Sequence, residues 1–92
     1  MADCRITCIN LSHTNGRHEH ITHVGNPSVW PRRYTVAEVV TMIRNGTNTF
    51  YVLDPRGNRA NVGVVEANPP HLRTYADGVW SDNLLSLTFC HL

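Results

Sequence analysis

Apolar positions change their period along this chain, and each change marks an element. Arg5 to Leu11 is a run rich in β-branched residues with no glycine or proline, which predicts a strand. Residues 12–18 contain Asn15-Gly16 and read as a turn, and residues 19–24, Glu19 to Val24, alternate enough to predict the returning strand. The N-terminal third therefore reads as a β-hairpin with a loose tip. Residues 25–34 hold Gly25, Pro27 and Pro31 and form a connection long enough to be a functional loop. From Val36 the period lengthens, with Val36, Val39, Val40 and Ile43 at helical spacing and Met42 beside them. Thr35 with Glu38 three residues later is a capping box, and Asn45-Gly46 is a left-handed terminator, so a helix is predicted over Val36–Asn45. Extended runs return at Thr49–Leu53 and Arg59–Glu66, joined by the turn Asp54-Pro55-Arg56-Gly57. Asn68-Pro69-Pro70 breaks the pattern, Leu72–Ala76 is a fifth extended piece, and Asp77-Gly78 turns the chain again. Asn83 to Leu87 is apolar and short, a strand end or one helical turn. The order β-β-α-β-β-β predicts an α+β fold, with one helix packed on a small, mostly antiparallel sheet of about five strands.

The length of 92 residues fits one domain, 1–92, with no room for a catalytic domain plus a regulatory one. With 41% hydrophobic residues and no apolar run near the ~18 needed to span a bilayer, disorder and membrane insertion are both disfavoured. Net charge is +1, which argues against tight non-specific binding to nucleic acid or anionic lipid while leaving a local patch open. All eight basic residues are arginine, so Schiff-base and P-loop chemistry, which need lysine, drop out. Cys4, Cys8 and Cys90 are an odd number, and the N-terminal residues do not read as a signal peptide. The expected setting is the reducing cytoplasm, with free thiols packed as small hydrophobes and no structural disulfide.

Several stretches then carry a resemblance: ITCIN, HITHVG, the tryptophan loop before the capped helix, the glycine ending that helix followed by NTFYV, and LRTYADGVWSDNLLSL. In order over nearly the whole chain, they resemble the small bacterial proteins grouped as domain of unknown function 3892. That resemblance implies a bacterial, cytoplasmic domain and brings no activity, substrate or catalytic residue with it. The family pattern has a proline after the final leucine where this chain has Thr88, which leaves the conformation of residues 83–92 open.

Candidate chemistry is sparse. His13, His18, His20 and His23 are dense, but zinc needs about four converging ligands. Strand alternation turns His20 and His23 to opposite faces, and no C-x-x-C is present, so solvated or hydrogen-bonded histidines are expected and no metal. Cys8 could meet a histidine of the second strand oriented by Glu19, yet it shares a face with Ile6 and reads as an inert core thiol. Asp77 and Asp82 read as turn and cap residues, and Asn83 as a loop-bonded amide. The loop Trp30-Pro31-Arg32-Arg33-Tyr34 is the best surface candidate. Trp30, Arg32, Arg33 and Tyr34 combine rings with guanidinium forks, the mixture that anchors protein partners or stacks on bases and pairs with phosphates. Trp80 is a candidate to join Trp30 on one side of the sheet. The expectation is a non-catalytic binding or adaptor module without cofactor, recognising a protein partner; nucleic-acid binding through the same loop is the alternative, and a small enzyme or metal-binding protein ranks lower.

Overall fold

The computed structural model describes residues 2–12, 16–54, 56–76, 79–81, 84–85 and 87–90, the side chains of 76, 79 and 81 excepted. Its strands are β1 (Ala2–Arg5), β2 (Cys8–Leu11), β3 (Ile21–Gly25), β4 (Tyr34–Thr35), β5 (Asn48–Leu53), β6 (Arg59–Val65), β7 (His71–Ala76), β8 (Val79–Ser81) and β9 (Thr88–Phe89). One helix, α1 (Val36–Arg44), lies between β4 and β5, and a single 3-10 turn covers His18–His20. The fold is α+β, as expected, but it has two mixed sheets. One has the order β1-β5-β6-β7-β8, the other β4-β3-β2-β9.

The expected strand Arg5–Leu11 is thus two strands in different sheets. The handover falls between adjacent residues: the Ile6 amide donates to the Tyr51 carbonyl at 2.8 Å, and the Thr7 amide to the Gly25 carbonyl at 2.9 Å. A continuous apolar pattern cannot show such a change of partner, because both sheets bury the same residue types. Ile6, fully buried, sits at the junction. The edge strands also escape local pattern: β1 runs parallel to β5 and β9 parallel to β2, pairings set by contacts far apart in sequence.

The helix follows its signals closely. Thr35 Oγ1 accepts from the Glu38 amide at 3.1 Å, and the Glu38 carboxylate accepts from the Thr35 amide at 3.0 Å, the reciprocal capping predicted. Asn45 caps the other end and Gly46 takes φ +70°, where a side chain would be strained. In the β5–β6 hairpin, Asp54 Oδ1 accepts from the amides of Arg56 and Asn58. Val39 and Val40 of the helix share one core with Phe50, Val52 and Leu72 of the larger sheet and Ile9 and Val24 of the smaller.

The expectation of free thiols fails at two positions. Cys8 and Cys90 form a disulfide linking residues 82 apart in sequence. The parallel pairing of β9 with β2 brings them together: Cys8 sits opposite Thr88, and the Cys90 amide donates to the Ile9 carbonyl at 3.0 Å. Cys4 alone is a free thiol, half-buried. Disulfides form and persist chiefly in oxidising compartments. No described helix is long and apolar enough to cross a membrane.

Trp30 and Trp80 do not share a side of the sheet. Trp30 packs edge-on against Phe50, ring centres 5.9 Å apart, on the core side. Trp80 packs against Tyr75 at 5.3 Å and over Gly63. Alternation places Gly63 and Tyr75 on the face opposite that of Val62 and Thr74, which are buried.

A candidate binding cleft at the Trp30 loop

The loop between β3 and β4 is pinned at its start by Asn26. Its buried side chain donates to the Arg5 carbonyl at 3.1 Å, while its own carbonyl accepts from the amides of Val29 and Trp30. That tight turn pushes Pro27, Ser28 and Val29 outward and brings Trp30 back onto Phe50 and Tyr34. Between the turn and the start of α1 lies an open cleft of about 530 Å³. Trp30, Pro27 and Pro31 supply its apolar wall. His23, Asn26, Thr35 and the Arg32, Arg33 and Glu38 groups supply the polar remainder.

The two arginines are not free forks. Arg32 holds the Glu38 carboxylate with both terminal nitrogens, at 3.1 and 2.6 Å, donates to the Arg33 carbonyl, and lies 4.8 Å from the Tyr34 ring centre. Glu38 therefore serves Arg32 and Thr35 at once, closing the cap as well as the ion pair. The Arg32 guanidinium, with the Thr35 amide next, pulls the Glu38 carboxyl down to about 2. Arg33 is half-buried and donates to Asn10 Oδ1 at 2.6 Å, and Asn10 in turn donates to the Cys90 carbonyl at 3.3 Å. Beneath the Arg33 stem sit Gly25 and the disulfide. A methyl at Gly25 would lie 3.2 Å from Arg33 Cγ and from both sulfurs.

Of the four residues singled out in the sequence, Trp30, Arg32 and Arg33 line the cleft. Tyr34 instead lines a shallower hollow of about 410 Å³ with Arg32, Met42 and other residues of α1. His23, Asn26, Thr35 and Glu38 went unassigned to the site, because strand pairing and the helix start bring them there. The His23–Thr35 register of β3 and β4 has no local signal.

Two of the candidate histidines are drawn into local bonds. His20 Nδ1 accepts from the Arg17 amide at 2.9 Å, and His23 Nδ1 lies 3.0 Å from Thr22 Oγ1. Among the described residues no group of three or more His, Cys, Asp or Glu converges as metal ligands would. His13, Asp77, Asp82 and Asn83 lie outside the described residues. Cys8, weighed as a nucleophile, is consumed in the disulfide.

Residues 5–88 match the model of a family described as Protein of unknown function (DUF3892). No curated protein and no solved structure matches the chain.

Proposed function

The chain belongs to that family, whose description carries no activity, and from the cleft itself we propose that the protein is a non-catalytic binding module whose Trp30 loop recognises a protein partner. The observation that carries this reading is the open 530 Å³ cleft, with one aromatic and two proline walls beside fixed polar groups. Apolar walls with a few oriented donors and acceptors suit a side chain or a short segment of a partner. The nucleic-acid alternative for this loop is the weaker one. Arg32 is neutralised by Glu38 and Arg33 is committed to Asn10, so neither guanidinium is open to phosphate without breaking a bond the fold uses.

Truncating Trp30 or Arg33 would disturb packing, so the informative change is Pro27→Arg, which projects a long side chain from an exposed position on the cleft wall. Immobilised protein is exposed to lysate of the native host, captured proteins are identified by mass spectrometry, and pairwise affinity with the purified partner is measured by calorimetry. A partner bound by the parent and lost by at least tenfold in the equally stable variant is expected. Equal capture by both would remove the cleft from consideration, and capture that disappears with nuclease would favour nucleic acid.

A further inference from the structure

The outer face of the five-stranded sheet carries a transverse row that no stretch of sequence displays. Strand register sets Arg5 opposite Tyr51, Tyr51 opposite Asn61, Asn61 opposite Tyr75, and Tyr75 opposite Trp80. With strands ~4.8 Å apart, these five positions span roughly 19 Å in one line across β1, β5, β6, β7 and β8. Their alternation partners Cys4, Phe50, Ala60 and Thr74 face the core side, so the row faces away from it. It is open: Tyr75 is 43% and Trp80 41% exposed, and Arg5 and Asn61 are exposed as well.

Two rings and one guanidinium along this row present planar surfaces. Gly63 has no side chain, and the six-membered ring of Trp80 occupies that space; a methyl there would lie 3.1 Å from the ring. Tyr75 meets Trp80 edge-on at 5.3 Å. Arg59 lies over Tyr51, 4.2 Å from the ring centre, steadied by both Asp3 oxygens and by Asn61. At that point the planar guanidinium is itself the outermost stacking surface. Charge on this face favours an anionic ligand. On this face Arg5 is exposed, and the Arg59 guanidinium lies beside one described carboxylate, Asp3, which is already bound by Arg59 and Thr49. A polyanion with planar groups matches what is present.

We propose that this face is a platform for single-stranded nucleic acid, with two or three unpaired bases stacking on Trp80, Tyr75 and the Arg59 plane while Arg5 meets phosphate. Stacking on sheet-borne rings takes about that number of bases, and it tolerates sequence because every base has a π-face. The platform lies across the sheet from the Trp30 cleft and does not depend on it.

The test uses fluorescently labelled 12-nucleotide single strands, oligo-U and oligo-dT, with the matching duplexes, in anisotropy titrations of the full chain at about 50 and 200 mM salt. The expected result is binding of single strands in preference to duplex, weakening as salt rises. Trp80→Ala should weaken it by tenfold or more, since a stacked base is lost, and Trp80→Phe should restore much of it. Arg5→Gln removes an exposed side chain and leaves the strands intact. It should weaken binding several-fold and make the log–log salt slope shallower by about 0.7. Thermal melts confirm that each variant is folded. No binding up to about 100 µM protein at low salt, well into the range of ordinary non-specific affinities, would overturn the proposal. So would duplex binding as tight as single-strand binding, or affinity unchanged in both Trp80→Ala and Arg5→Gln. Capture of neutral oligosaccharide instead, or self-association abolished by Trp80→Ala, would assign the face to another occupant and overturn it equally.

Discussion

In the loop from Trp30 to Tyr34, rings and arginines are neighbours because the chain is continuous. On the outer sheet face, Trp80, Tyr75 and Arg59 are neighbours because three strands are paired. The first group looks like a recognition motif in the sequence, yet most of its members work for the fold: Trp30 packs on Phe50, Arg32 completes the helix cap through Glu38, and Arg33 braces Asn10 above the disulfide. The second group has no linear signature, and its rings stay in solvent. Adjacency in sequence brings side chains of mixed facing into one segment, so some turn inward. Adjacency across a sheet gathers residues already sorted to one face.

The disulfide separates the two regions most sharply, because Cys8 lies in β2 and Cys90 directly follows β9, both of the smaller sheet, beneath the Arg33 stem. Closing a loop of 82 residues, it should contribute about 2–5 kcal/mol. Reduction, or Cys8→Ser with Cys90→Ser, should lower the urea midpoint accordingly. Hydrogen exchange should then show β2, β3 and β9 losing protection first, while β5, β6 and β7 keep theirs. A midpoint indifferent to reductant would mean that the cleft does not rest on this bond.

Two glycines sharpen the contrast further. Gly25→Ala places a methyl 3.2 Å from the Arg33 stem and from both sulfurs, which the disulfide ties to each other. It should cost about 1–3 kcal/mol as an overpacked site. Gly63→Ala meets only the exposed Trp80 ring, which can tilt into solvent, so stability should change by no more than about 0.5 kcal/mol. Chemical denaturation of the two variants checks the ranking, and equal costs would show that Trp80 is held as rigidly as the disulfide.

The same distinction explains what the sequence disclosed. The helix and its cap were legible because Thr35, Glu38, Asn45 and Gly46 act within a few residues of one another. The β5–β6 hairpin was legible through Asp54 and Gly57, which build its turn locally. The division into two sheets was not, since Ile6 and Thr7 differ only in which distant carbonyl each amide meets. The disulfide was missed for a related reason: an odd cysteine count argues from compartment, whereas the pairing depends on β9 returning beside β2. Three of four candidate loop residues do line the cleft, but their commitments to Phe50, Glu38 and Asn10 are tertiary facts.

The smallest effect expected is also the most specific to the loop, because it isolates the ion pair joining the candidate site to the helix cap. The Glu38 carboxyl is held near 2 when folded, against an ordinary 4.5, chiefly by Arg32 and next by the Thr35 amide. A depressed carboxyl means that the unfolded chain takes up the proton first. The stabilisation is therefore complete above about pH 4.5 and drains away as pH falls toward 2. Asp3 and Asp54 are depressed too, by Arg59 and by the Asn58 amide respectively, so acid alone lowers stability through several groups. The clean measurement is the difference between the parent and Glu38→Gln, taken from urea midpoints at pH 7, 4 and 2.5. The gap should be widest at pH 7 and close toward pH 2.5, while a solvent-exposed pair keeps it modest throughout. The same comparison with Asp3→Asn, on the sheet face, should show its own closing gap without altering the amide exchange of α1. A gap for Glu38→Gln that stayed constant with pH would mean that the carboxyl acts through shape alone, and that Arg32 is freer to meet a ligand than its two short contacts imply.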